Sequence, residues 1–370
     1  MLPRFFDTDQ HLYEPPGFWD GRYPKKYAEK EPKFVRGPEK DGWTSDGGKT
    51  VRGVGGVGSV GGEDPRKIGP KKRLEDMDPG FWDPKKRIEV LDVDGVRATL
   101  LFGGGSSVTT EDEEFYLAHM RAYNDAVLDW AAEGDAQRIF PACYIPAIGT
   151  EHAMAELERC AKKGFIHYAF NQWPSGEFIP TTADDPFWAL CQETGMTVSF
   201  HGFGMGRGKL PNGVKPFPFR LPSQEQIAAV RGAGLGATAP LAALLMNGVL
   251  ERFPKLKFAL IETSVGWLPT FAERMDAIYL EQRWVGGSTL KELPSESAKR
   301  MKISFDREWL GVKYRDFVGV DNIMFGTDFP HIGSFYPHSR FYLELVMQGV
   351  PAEVQEKMLW SNAANFYGVK

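Results

Sequence analysis

Apolar residues recur along this chain in short runs, separated by longer stretches of helical spacing. Eight runs read as strands: 5–11 (FFDTDQH), 98–103 (ATLLFG), 138–146 (RIFPACYIP), 164–171 (GFIHYAFN), 197–202 (TVSFHG), 257–263 (KFALIET), 302–306 (KISFD) and 322–329 (NIMFGTDF). Most are apolar at consecutive positions, as strands covered on both faces of a parallel sheet require. Segments 111–134, 149–163, 184–195, 238–253, 266–284 and 337–349 read as helices. The first of them repeats Phe115, His119, Tyr123 and Ala126 at three- and four-residue spacing. Strands alternating with helices predict parallel βαβ units and the α/β class. Eight of them predict a closed (β/α)8 TIM barrel, with a doubly wound sheet as the other topology of the same alternation.

Two stretches interrupt the pattern, and both follow strand ends. Residues 33–80 contain the glycine-rich segment GGKTVRGVGGVGSVGG and no continuous hydrophobic period, so they form an insertion after the first strand. Residues 202–237, rich in glycine and proline, form a second insertion after the fifth strand. Both leave from the rim of a barrel where active sites sit. The second reads as a lid; the first is either a lid or a disordered segment. Neither is an independent domain, so residues 1–370 are expected to form one barrel domain.

Composition narrows the classes of function. The net charge of −5, from 49 acidic against 44 basic residues, argues against a general nucleic-acid binder. No apolar run reaches the ~18–20 residues that cross a bilayer. The opening MLPRFFDTDQH turns acidic too early for a signal peptide, which predicts a cytoplasmic protein without membrane partners. Cys143, Cys160 and Cys191 are scattered, form no CxxC pair and read as buried packing residues.

The chemistry is concentrated where strands run out. The first ends in Asp9-Gln10-His11, the fifth in His201, the sixth in Glu262, and the eighth in Thr327-Asp328-Phe329-Pro330-His331. Two residues apart on a strand, Asp9 and His11 face the same side. In a barrel all these ends converge on one rim. Two carboxylates and two imidazoles suit a divalent transition metal, with Asp9, His11, His201 and Asp328 as its ligands. Zinc is the default by ligand type, while the oxygen-rich set also suits manganese or iron. One polar strand end is usually a cap or a satisfied polar group; four together are not explained that way.

The sequence resembles amidohydrolase family 2, the metal-dependent barrel hydrolases and decarboxylases related to aminocarboxymuconate-semialdehyde decarboxylase. The likeness runs through DTDQHLYEPPGFW (7–19), RAYNDAVLDW (121–130), AMAELERCAKKGF (153–165), VSFHG (198–202), GVLERFPKLKFALIETSVGWLP (248–269), LPSESAKR (293–300), DNIMFGTDFPHIGSFYPHSR (321–340) and NAANFYG (362–368). It implies that Asp9 and His11 are the first-strand ligands, His201 the fifth-strand ligand, and Asp328 the last-strand carboxylate that binds metal or handles a proton. It also implies a dimer, either of identical chains or with a paralogous subunit. Two positions depart from the decarboxylase pattern. Asp9 stands where the first strand of that pattern carries a histidine, and Glu262 stands where the sixth carries the imidazole expected to act as general base.

Glu262 and His331 are the residues able to repair that loss, either as acid–base groups or as ligands of a second metal. Glu262 reads otherwise as the partner of a barrel cation. The resulting reading is a metal-dependent hydrolase or non-oxidative decarboxylase of a small organic acid or amide, with an aromatic acid suited to the 13% aromatic content. In the hydrolytic version Asp328 takes a proton from the attacking water and delivers it to the leaving group. In the decarboxylating version an acid protonates the carbanion carbon. Two other classes stay open: a dinuclear, oxygen-dependent monooxygenase, and a non-catalytic metal-bearing subunit that supports an active paralogue. Among the other polar candidates, His119 and His152 read as packing or surface residues, His167 as a hydrogen-bonded interior histidine, Glu14 as the support of the EPPGFW turn, and His338 as a loop residue. Trp173 and Arg207 read as substrate contacts.

Overall fold

The computed structural model describes the chain except residues 1, 50, 55–71, 104–109, 111, 171, 178, 202–234 and 287–289. The second insertion and Arg207 therefore lie almost wholly or entirely outside the described residues, as do Gly202 and much of the glycine-rich segment. Two compact units make up the rest: Met1–Tyr144 with Phe325–Val350, and Ile145–Met324 with Pro351–Lys370.

In the first unit the leading strand is β1 (Phe5–Leu12), buried at every position. A small antiparallel sheet follows, of β2 (Lys33–Arg36), β3 (Asp41–Thr44) and β4 (Arg52–Gly53). The described part of the first insertion is thus folded. Its Phe34 packs edge-on against Trp43, and Val54, Leu74, Met77 and Phe81 close a small apolar cluster beneath it. A hydrophobic period fails to reveal this sheet because its strands are too short to repeat one.

Helix Pro84–Asp94, which the apolar spacing does not mark, is defined by its ends. The Asp83 carboxylate accepts from the N–H groups of Lys85 and Lys86, Pro84 occupies the first turn, and Gly95 closes the helix at φ 82°. Strand β5 (Val96–Gly103) pairs parallel with β1 and, on its other side, with β6 (Ile139–Pro141). The run expected over 138–146 is broken into β6 and the two-residue β7 (Cys143–Tyr144). Between β5 and β6 runs helix Glu113–Gly134, capped by Asp112 through the N–H of Phe115. His119 lies inside that helix, stacked on Trp19 with its Nδ1 2.5 Å from the Tyr23 hydroxyl. It is a packing residue.

The second unit carries β8 (His167–Phe170), β9 (Thr197–His201), β10 (Phe258–Ile261) and β11 (Lys302–Phe305), paired parallel in that order. Helix Thr150–Lys163 precedes them, and Asp185–Thr194, Leu235–Met246 and Leu268–Gly286 separate them. Phe170, Trp173, Phe187, Trp188 and Phe200 form an interior aromatic cluster. Trp173 is fully buried in it, wedged between Phe170 and Trp188. The expectation of a substrate contact at Trp173 is therefore corrected: its indole is core, although it sits on a loop. His167 is an interior histidine, with Nδ1 3.2 Å from the Ser199 hydroxyl, itself 3.1 Å from the Tyr367 hydroxyl. Cys143, Cys160 and Cys191 are all buried. Among the described residues no helix is long and apolar enough to cross a membrane.

The last strand, β12 (Ile323–Phe325), is shorter than the predicted run to 329. Its Phe325 faces Asp7 of β1 in parallel register. Beyond it the chain leaves strand geometry, and that departure shapes the site.

Candidate metal centre

Strand β1 brings its polar residues in through an irregularity. Asp7 pairs with Thr99 and Gln10 with Leu101, so three residues of β1 advance against two of β5. Such a bulge re-aims the side chains beyond it and is common beside active sites. After β12, Gly326 brings the chain so close to β1 that a Cβ there would lie 2.7 Å from that of Asp9. The Asp328 N–H donates to the Asp9 carbonyl at 2.9 Å, and the His11 N–H to the Phe329 carbonyl at 2.7 Å. Asp328 itself takes φ 57°, a left-handed conformation that non-glycine residues adopt at a cost. This turn, and not the strand, aims its carboxylate.

The side chains meet. His11 Nε2 lies 3.3 Å from Asp9 Oδ1 and 3.3 Å from Asp328 Oδ1. His331 Nδ1 approaches Asp328 Oδ1 at 2.6 Å. Donor atoms ~2.1 Å from one tetrahedral ion sit ~3.4 Å apart, so the Asp9–His11–Asp328 spacing fits a divalent cation. His11, Asp328 and His331 also offer ligand atoms within 4.8 Å of one another.

Electrostatics follow from this crowding. Burial opposes a charge on His11, but its hydrogen bonds to Asp328 and Asp9 prevail and raise its pKa to about 10. Burial likewise opposes ionisation of Asp328, yet the rings of His331 and His11 hold its carboxyl well below the usual range. His331 is shifted down, first by burial and then by the charge on His11. A site that holds a proton between two carboxylates has the charge balance that a cation would satisfy in its place.

In the second unit, His201 Nε2 and Glu262 Oε2 stand 3.6 Å apart. Glu262 thus has an imidazole among its partners. It too is left-handed, at φ 55°, with Ser264 at 57° two residues on. The loop is held by its backbone: Glu262 N–H donates to the Ser304 hydroxyl, Val265 and Gly266 donate to the two carboxylate oxygens of Glu308, and the Trp267 indole donates to the Thr263 carbonyl.

Residue by residue, then, Asp9, His11, Asp328 and His331 come together in the first unit, and His201 and Glu262 in the second. Glu14 ties its segment to the small antiparallel sheet: its carbonyl accepts from the Trp43 indole and its buried carboxylate from Arg52. His338 is an exposed residue preceding helix Ser339–Val346, and His152 is exposed.

Asp7 and Thr327, to which the sequence reading gives no role, join the two ligand-bearing segments. Asp7 is fully buried and accepts from the Thr327 N–H at 2.8 Å, the Thr327 hydroxyl at 2.5 Å, Gln10 at 2.7 Å and the Asp9 N–H at 3.1 Å. Burial still pushes its pKa up to about 7 against those bonds. Its signal was present as a third polar residue at two-residue spacing with Asp9 and His11.

A protein-family model described as amidohydrolase matches residues 6–369. No curated protein matches the sequence. Among solved structures, an amidohydrolase from Mycobacterium avium subsp. paratuberculosis K-10 superposes with a TM-score of 0.72 at 20% identity, covering 100% of both chains. The 5-carboxyvanillate decarboxylase of Sphingomonas paucimobilis gives 0.68 at 17% identity, covering 99% of each chain. A dihydroxybenzoic acid decarboxylase from Polaromonas sp. JS666, solved with manganese and the inhibitor 2-nitroresorcinol, gives 0.65 at 17%, covering 99% of this chain and 97% of its own. These likenesses show the fold, the α/β (β/α)8 barrel that the strand–helix alternation predicts.

Proposed function

This chain belongs to the amidohydrolase family and is an enzyme of that superfamily, and on that premise we propose that it is a metal-dependent, non-oxidative decarboxylase of a small aromatic acid. The observation that carries the reading is His11 Nε2, 3.3 Å from both Asp9 and Asp328, with His331 Nδ1 2.6 Å from the same Asp328 oxygen. The aromatic acids named for two solved relatives supply the substrate class.

Asp9, His11, His201 and Asp328 would hold one divalent ion, manganese or zinc. Two carboxylates with two imidazoles suit either, and manganese is the ion of the dihydroxybenzoic acid decarboxylase. When bound, the ion would act as a Lewis acid toward the substrate carboxylate and offset charge developing on the ring. The chain's own residues move the proton. His331 Nδ1 and Asp328 Oδ1, 2.6 Å apart, form the transfer pair. One proton passes to the ring carbon that bears the carboxylate, the carbon–carbon bond breaks, carbon dioxide departs, and its electron pair restores the aromatic ring. Glu262 takes the place of the imidazole that decarboxylases carry on that strand, and we assign it to hold His201 in orientation.

The deciding experiment strips the purified protein of metal, reloads it with manganese, zinc or iron, and offers a panel of hydroxybenzoates in deuterated water. Metal-dependent release of carbon dioxide with deuterium at the vacated ring carbon is expected. Hydrolysis of amides or lactones without decarboxylation would move the protein to the hydrolytic branch. Turnover requiring oxygen and two equivalents of iron would make it a monooxygenase, and activity only beside a paralogous chain would make it a supporting subunit. We propose a homodimer acting in the cytoplasm, which sedimentation and fractionation test.

A further inference from the structure

Arg87 is fully buried, and it reaches both segments that carry the candidate ligands of the first unit. It comes from helix Pro84–Asp94, whose capped start fixes where its side chain emerges. One terminal nitrogen, Nη2, donates to the backbone carbonyl of His11. The other, Nη1, donates to Gln10 Oε1 at 3.0 Å, and Nε donates to the Gly80 carbonyl at 2.6 Å. The guanidinium carbon, Cζ, lies over the ring of Phe329, the residue next to Asp328, at 5.1 Å from its centre, and over that of Trp130 at 5.6 Å.

The contact to Gln10 does more than satisfy a donor. With Oε1 accepting from Arg87, the amide must turn its Nε2 toward Asp7, and that bond is 2.7 Å. Asp7 in turn takes the N–H and hydroxyl of Thr327. A buried cation is thereby linked to a buried carboxylate through one neutral amide of fixed orientation. The ends of the linkage bracket Asp9-Gln10-His11 on one side and Thr327-Asp328-Phe329 on the other. A lysine ammonium is a compact point charge and lacks the planar fork whose Nε, Nη1 and Nη2 reach these three separate acceptors.

We propose that Arg87 is a positioning residue that locks the two ligand-bearing segments together, through Gln10 and Asp7 on one side and the Phe329 ring on the other. The part of this that concerns metal affinity rests on the function proposed above; the locking of the two segments does not. Partners of this kind around metal ligands are worth roughly 10–100-fold in metal affinity.

The test compares full-length wild type, Arg87→Lys and Gln10→Leu by two readouts. The first is amide exchange at His11 and Asp328 in metal-free protein, against amides of β10 as an internal reference. Both variants should exchange roughly tenfold faster or more at His11 and Asp328, with β10 unchanged. The second is manganese affinity by chelator competition, expected to fall roughly 10–100-fold. Uniformly faster exchange at all these amides, or wild-type exchange at His11 and Asp328, would overturn the assignment. If Arg87→Lys does not fold, Gln10→Leu alone decides by the same criteria. If wild type takes up no divalent ion, the proposed function falls, and the exchange readout still tells whether Arg87 locks the segments.

Discussion

The imidazole of His331 lies against that of His11, with ring centroids 3.9 Å apart and planes inclined by 26°. Two stacked rings so close do not share charge equally. His11 has a carboxylate on each side and takes the proton, while burial and the charge on His11 keep His331 neutral.

The pH dependence follows. His11 rises from 6.5 to about 10 on folding, so the folded metal-free protein binds the extra proton. That contribution to stability is complete below 6.5 and is lost as pH climbs through about 10. Metal must displace the same proton. Manganese or zinc affinity should therefore rise about tenfold per pH unit below the His11 pKa, with about one proton released per ion. Calorimetry in buffers of different ionisation enthalpy measures that release, and a flat affinity profile would remove His11 from the metal.

Asp328→Asn should keep its metal and lose turnover by about 10²–10⁴-fold, the range for removing a positioned acid–base group. The variant retains an oxygen toward the ion but gives up the shared proton with His331. Elemental analysis beside steady-state kinetics separates the two; full activity would reject the transfer pair.

Glu262 sits at φ 55°, which inverts the usual order of small substitutions. Glu262→Gly should be more stable than Glu262→Ala by about 1 kcal/mol, because only glycine enters the left-handed region freely. Denaturant unfolding of the two metal-free variants tests this. Both should lose activity, so the stability order reports on the backbone alone.

Gly326→Ala should destabilise the fold by about 1–3 kcal/mol and lower metal content, since its methyl would press on the Cβ of Asp9 at 2.7 Å. A melting temperature equal to wild type would mean that β1 and the turn before Asp328 can move apart. His201→Ala should also lower metal content sharply, here with the fold intact. Unchanged stoichiometry would take His201 out of the proposed ligand set.

Much of this organisation was legible in the order of residues. The apolar runs around Phe258–Ile261 and Thr197–His201 became parallel strands because their patterns suit sheets covered on both faces. Helix Glu113–Gly134 followed from its spacing. Trp173 misled because a loop position says nothing of burial: the large ring is fully enclosed by Phe170 and Trp188.

What the chain's chemistry determined alone is the alternation of elements and the donor types at strand ends, since periodicity and side-chain identity are local properties. Tertiary structure decided how those donors are aimed. The bulge in β1, the left-handed turn at Asp328 and the reach of Arg87 to Gln10, 77 residues earlier, all depend on segments distant in sequence pressing on one another. Local pattern cannot encode such contacts, because each is set by the shape of the partner that it meets.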